Sequence, residues 1–126
     1  RNVSIIIVSH DGSELLGMAD EIAYLKNGSI ARIDKAFKFY FHPTNKEEGQ
    51  LLGPLNQVRL NGQELFFRPT EFIVSDFGIA LKYRNTIHTG LFYYNYFETE
   101  NGEEVMLASS RPMNNDCVIN IERNVH

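Results

Sequence analysis

A chain of 126 residues and 14.5 kDa has room for one ordinary domain or two small ones, and too little for a complete nucleotide-hydrolysing machine of any large class. Hydrophobic residues make up 43%, with nine Phe and six Tyr, so a real core can be buried and general disorder is excluded. Twelve Lys and Arg against sixteen Asp and Glu give a formal charge of −4, which repels a phosphate backbone and excludes a general nucleic-acid binder.

Taken in chain order, Val3 to Val8 is a β-branched run without alternation, the pattern of a strand buried on both faces of a parallel α/β sheet. Ser9-His10-Asp11-Gly12-Ser13 supplies a turn and capping residues, and Leu15, Met18, Ala19 and Ile22 follow at helical spacing, so a short amphipathic helix ending near Ala19 is expected. Asn27-Gly28 then separates Ile22–Lys26 from Ser29–Ile33. This is the strongest short-range hairpin signal, because both turn residues need positive φ. Lys35 to Tyr40 reads as a short helix stopping before Pro43. Thr44 to Gln50 is polar and charged, with Lys46-Glu47-Glu48 read as a solvated loop, and it marks the expected boundary between two units, residues 1–50 and 51–126.

From Leu55 onward the pattern changes to short β-like runs: Leu55–Leu60, Gln63–Phe67, Glu71–Ser75, Ile79–Arg84, Thr86–Glu98, Glu104–Ala108 and Cys117–Ile121, with Asn61-Gly62 and Asn101-Gly102 as turns. Strands this short and closely spaced predict a small sandwich or barrel, whose closure would hide the edges. The fold class expected is therefore mainly β, an OB-like small barrel preceded by an α/β segment. The chain starts at Arg1 and enters a strand-like run at once, which is expected of a piece of something longer.

His10 is the most informative single residue, because it ends an apolar strand, where ligands bind in parallel sheets. An imidazole there can donate a hydrogen bond to a phosphate oxygen and stabilise charge on a transferred phosphoryl group, or it can simply satisfy loop carbonyls. The aromatic run Phe92-Tyr93-Tyr94-Asn95-Tyr96-Phe97 invites base stacking, but alternation divides it between two faces, so part fills a core and part covers a neighbour or dimer surface. His42, His88, His126 and Cys117 have no ligand-like spacing for a metal. As the only cysteine, Cys117 permits no intrachain disulfide, which suits a reducing compartment. The longest apolar run, Ile5–Val8, is far short of the roughly 20 residues of a membrane span, so no direct membrane insertion is expected.

The segment Ile5-Ile6-Ile7-Val8-Ser9-His10-Asp11, with Glu14 and then Ala19 through Ile30, closely resembles the switch-histidine region that ends the nucleotide-binding domain of ABC transporter ATPases. Tyr40, His42-Pro43, Gly53 and Asn56 resemble the connection into the C-terminal regulatory domain of importer subunits. Arg68-Pro69-Thr70-Glu71, Thr89-Gly90 and Asn101-Gly102 are similar to landmarks of that domain, the transport-associated OB-fold or TOBE. Glu71 comes one residue late relative to a strict Arg-Pro-Glu, and Asn114-Asn115-Asp116 stands where a Gly is common.

This resemblance implies the C-terminal part of an importer's ATP-binding subunit, coupling ATP hydrolysis to uptake of a polyamine, iron, sulfate, molybdate or sugar. It implies that residues 1–50 are the end of the nucleotide-binding domain and 51–126 a TOBE-like barrel serving dimer contacts and regulation. His10 becomes the γ-phosphate contact in the intact parent, with Asp11 and Asp20 structural. ATP and Mg2+ are the implied cofactors of the parent. Its implied partners are a second copy of the subunit and membrane permease subunits, which would hold it at the inner face of the cell membrane in the cytoplasm. The chain has no Gly-x-x-x-x-Gly-Lys-Ser/Thr loop, no strand ending in Asp-Glu and no Leu-Ser-Gly-Gly-Gln, so it is expected to be catalytically silent alone. A free-standing OB-like ligand-binding module without ATPase activity is the alternative.

Overall fold

In the computed structural model the chain divides into two units, Arg1–Gly53 and Pro54–His126, and the structure describes residues 20–123. The strand expected over Val3–Val8, the helix expected to end near Ala19, and His10 with Asp11 all lie outside the described residues.

In the first unit the Asn-Gly signal is realised as β1 (Glu21–Lys26) and β2 (Ser29–Lys35), paired antiparallel from Glu21↔Lys35 to Lys26↔Ser29. Asn27 and Gly28 both take the positive φ that a two-residue hairpin loop demands, 52° and 78°. Helix α1 (Ala36–Phe41) starts directly after β2, anchored by the Ala36 N–H donating to the Asp20 carbonyl, and ends ahead of Pro43. Ile22, Ala36, Phe39 and Leu52 form a small core, with Tyr24 and Tyr40 against it.

The polar stretch after Pro43 differs from its reading as a solvated loop. It folds as α2 (Lys46–Gln50), capped by the Asn45 side chain, which accepts the Glu48 N–H at 2.8 Å. Glu48 is 2% exposed. A carboxylate is buried only when it is paired, and here Arg32 supplies the partner. Its guanidinium donates to Glu48 and, at 2.8 Å, to Asp34; it also donates to the His42 carbonyl and lies 4.4 Å over the Phe39 ring. Thr44 donates to the other Glu48 oxygen. One side chain on β2 therefore ties the hairpin to both helices.

Two carboxylates of this unit, half-buried Asp34 and exposed Glu47, sit below the ordinary range. Asp34 is held down by the Arg32 hydrogen bond and then by the Lys35 N–H; Glu47 is held down by the Tyr24 hydroxyl and then by Lys26. A depressed folded-state pKa means that the unfolded chain takes up the proton first, so the stability they contribute is complete above the ordinary carboxylate value and is lost as pH falls through the folded one. Amide protection factors across β1 and β2, with each rate corrected for the intrinsic pH dependence of exchange, should fall as the buffer is taken from neutral to below about pH 4. Protection unchanged over that interval would show that these pairs contribute nothing.

The second unit is all strand: β3 (Asn56–Leu60), β4 (Gln63–Phe67), β5 (Phe72–His88), β6 (Tyr93–Thr99), β7 (Glu104–Ser109) and β8 (Cys117–Ile121). β3 and β4 form a hairpin around Asn61-Gly62, and the other four form a sheet in the order β7-β6-β5-β8. Strands make up 56% and helix 11% of the described residues, so the chain is mainly β, and the curled sheet makes the second unit an OB-like small β domain.

β5 differs from its sequence reading. The runs Glu71–Ser75, Ile79–Arg84 and the start of Thr86–Glu98 are one 17-residue strand. It pairs with β8 through its first part and with β6 through its second. Both Val74 and Ile79 stand opposite Ile119, so Ser75-Asp76-Phe77-Gly78 is extruded as a wide bulge. The run Thr86–Glu98 is broken by a turn at Thr89-Gly90, where the Thr89 N–H donates to the Phe92 carbonyl.

The core is Val58, Phe67, Ile79, Leu81, Phe97, Val105, Leu107 and Ile119. β3 joins β7 through a side chain: the Asn56 amide donates to the Met106 carbonyl and accepts the Met106 N–H, both at 2.8 Å. A primary amide offers the same donor and acceptor pair as a peptide, so Asn56 replaces one rung of a ladder. At the far edge Arg123 donates to the Phe66 carbonyl of β4.

Candidate functional site

The one site residue expected from sequence, His10, lies outside the described residues, as does Asp11. Asp20 is described, and its carbonyl receives the Ala36 N–H at 3.0 Å, closing the base of the hairpin. This bond is made by the main chain and does not involve the Asp20 side chain.

The Arg68-Pro69-Thr70-Glu71 segment turns the chain from β4 into β5. Arg68 and Glu71 are 0% and 1% exposed. The Glu71 carboxylate accepts the Arg68 N–H at 2.9 Å, while the Glu71 N–H donates back to the Arg68 carbonyl at 2.9 Å. The three-residue separation of Arg68 and Glu71 is what makes this reciprocal closure possible. The Arg68 guanidinium donates to the Pro54 carbonyl, and Arg123 lies 3.8 Å from the same Glu71 oxygen. The pair is thus a buried turn lock inside the second unit, placed to hold β3, β4 and β5 together.

An open groove of about 520 Å³ runs where β8, β5 and β6 lie side by side, with Ala80, Lys82, Glu98, Glu100, Asp116 and Val118 among its walls. Its polar groups are partly committed: Glu98 accepts from Arg84, and Asp116 accepts the Tyr83 N–H at 2.8 Å. Cys117 borders the groove, and burial, then the neighbouring Asp116 charge, push its thiol pKa up, which keeps it in the unreactive protonated form at neutral pH. Charges of both signs on an open surface do not converge on one bound group.

The aromatic run is likewise engaged with itself. Phe97 is in the core, Phe92 meets Tyr94 edge to face at 4.9 Å, and Tyr93 stacks on His88 at 4.5 Å. Asn95, within this run, is a fully buried polar hub that sequence reading missed. Its oxygen accepts the Met113 N–H and lies 2.9 Å from the Thr86 hydroxyl, and its amide donates to the Leu107 carbonyl and to Ser109. A polar residue flanked by aromatics in a strand was the available signal.

Among the described residues no group of three His, Cys, Asp or Glu could hold a metal ion, and no helix is long and apolar enough to cross a membrane. The described residues do not fit an ATP–magnesium site of their own. Gly28 and Gly62 sit in two-residue hairpin loops and Gly102 in the β6–β7 turn, whereas a phosphate cradle has a Gly-rich loop opening a helix.

No protein-family model matches the chain. It is 33% identical over 81 residues to the spermidine/putrescine import ATP-binding protein PotA of Mesomycoplasma hyopneumoniae, covering 56% of this chain and 18% of that protein. It is 32% identical over 80 residues to the sulfate/thiosulfate import ATP-binding protein CysA of Pseudomonas aeruginosa, covering 63% and 24%. A longer match, 23% identical over 124 residues, is to CysA of Thermosynechococcus vestitus, covering 87% of this chain and 37% of that protein. The chain thus spans between 18% and 37% of the length of these curated relatives.

Proposed function

We propose that this chain is the C-terminal part of the ATP-binding subunit of an ABC importer. In this reading the first unit is the end of the nucleotide-binding domain and the second a TOBE-type regulatory barrel. The observation that carries the reading is that relatives named for chemically unlike solutes, a polyamine and sulfate, are alike in being import ATP-binding proteins. What they have in common is the coupling of ATP to import, and the solute differs among them. The mainly β, OB-like second unit and the short hairpin and helices ahead of it are the architecture this reading requires.

In the intact parent, catalysis of phosphoryl transfer rests on positioning and charge stabilisation. ATP with Mg2+ would supply the reactive phosphate there, held by residues beyond this chain. His10 is assigned the task of donating a hydrogen bond to a terminal phosphate oxygen, which steadies the charge as the bond to it breaks. A second copy of the subunit and the permease subunits are the proposed partners, with the complex on the cytoplasmic face of the membrane and the barrel making dimer contacts.

The test uses the full subunit that contains this segment. His10→Ala should lower ATP turnover about a hundredfold while nucleotide binding changes little. Turnover within a factor of about two of the parent, the scatter of ordinary surface substitutions, would remove the assignment of His10. The absence of any ATP turnover in the unsubstituted subunit would remove the ATPase reading itself.

A further inference from the structure

The chain carries Asn-Gly at three described turns: Asn27-Gly28, Asn61-Gly62 and Asn101-Gly102. All six residues are exposed. Asn-Gly is where a peptide chain most readily attacks itself, because the glycine has no side chain to shield its nitrogen from the neighbouring asparagine side chain. The three turns are not equivalent. Gly102 has its N–H committed to the Thr99 carbonyl at 3.0 Å, inside a turn further tied by Thr99 and Glu103, whose main chains and side chains bond each other. Among the described residues the N–H groups of Gly28 and Gly62 have no hydrogen-bond partner, nor do the Asn27 and Asn61 side chains. An added Cβ would meet nothing within 4 Å at any of the three glycines, so what separates Gly102 from Gly28 and Gly62 is its hydrogen-bonded N–H and not the space around it.

We infer that Asn27 and Asn61 are sites of spontaneous deamidation to aspartate and isoaspartate, and that Asn101, in the same Asn-Gly dipeptide, is protected by its turn. The glycine nitrogen attacks the asparagine Cγ. A bond forms between them, the Cγ–Nδ2 bond breaks, and ammonia leaves carrying the proton of the glycine amide. Water then opens the five-membered imide at either carbonyl. Opening at Cγ restores an ordinary backbone with an aspartate, and opening at the main-chain carbonyl gives isoaspartate. The sum is one water consumed, one ammonia released and one negative charge added for each event.

The isoaspartate product matters structurally because it routes the backbone through the former side chain and inserts one extra methylene. A two-residue loop whose flanking pairs are Lys26↔Ser29 or Leu60↔Gln63 has no slack for that insertion. Each isoaspartate formed therefore frays a hairpin from its tip, β1–β2 in one unit and β3–β4 in the other.

The experiment follows the whole chain over time in warm, mildly alkaline buffer, with a parallel sample in concentrated urea, using peptide mapping by mass spectrometry and enzymatic methylation of isoaspartyl groups. In native buffer Asn27 and Asn61 should each convert about fivefold faster than Asn101, the factor that a retained hydrogen bond of about 1 kcal/mol sets on a rate. In urea the three rates should converge, since only the folded turn separates them. Conversion of Asn101 at the same rate as the others in native buffer would overturn the inference. So would an unchanged ranking in urea, which would place the cause in local sequence.

Discussion

Gly78→Ala should destabilise the second unit by at least about 3 kcal/mol, a loss of more than about 10 °C in Tm for a domain of this size. Gly78 closes the Ser75–Gly78 bulge of β5 with φ 138°, a conformation essentially confined to glycine. It also lies against β8. A Cβ would stand 2.2 Å from the Ile119 carbonyl oxygen and 2.6 Å from the Asn120 side-chain oxygen. The first of these is backbone and cannot rotate away, so β5 and β8 must separate next to Ile119, a core residue.

Gly90→Ala is the matching control. Its φ of 99° is strained for alanine, but nothing lies within 4 Å of the added atom, so its cost should stay near 1 kcal/mol. Thermal unfolding of both variants by circular dichroism measures the difference. Equal losses would show that the close approach to Ile119 has no energetic weight.

Asn95→Ala should cost about 3 kcal/mol, although it deletes no apolar contact of the core. At 0% exposure the Asn95 amide bridges β5, β7 and the segment after β7, bonding Thr86, Leu107, Ser109 and Met113. Removing it leaves the Leu107 carbonyl without its side-chain donor and strips the Met113 N–H of its acceptor. An unpaired buried group costs about 1–3 kcal/mol. The loss should be accompanied by faster exchange of the Met113 amide, because the chain between β7 and β8 is held at that point. A variant with parent-like stability and an equally protected Met113 would disprove the hub.

The hairpins at Asn27-Gly28 and Asn61-Gly62 were legible in the sequence because their cause is local, two residues that tolerate positive φ between apolar runs. The stop of α1 ahead of Pro43 was legible for the same reason. Other features depend on residues far along the chain. Lys46-Glu47-Glu48 reads as solvated until Arg32 of β2 is brought to Glu48. The Ser75–Gly78 bulge exists because β5 must serve β8 and β6 in turn, which no window of sequence reveals. The turn at Thr89-Gly90 was legible from the resemblance, which places a turn there, whereas the residue pattern alone ran Thr86–Glu98 as one strand, since Leu91 and Phe92 continue it past the turn. Of the candidate site, His10 was legible by resemblance alone and lies outside the described residues. Glu71, one residue late in its motif, proves to be the acid that locks the turn after β4.

The seam between β3 and β7 has a further consequence. Where neighbouring strands elsewhere in this unit share several peptide rungs, these two are fastened chiefly by the Asn56 carboxamide, seconded by the Arg59 N–H on Glu103. The β3–β4 ribbon therefore owes its place in this unit to side chains, the Asn56 carboxamide, the Arg68–Glu71 lock and the buried Val58 and Phe67, so weakening any of these should loosen the ribbon before the other four strands.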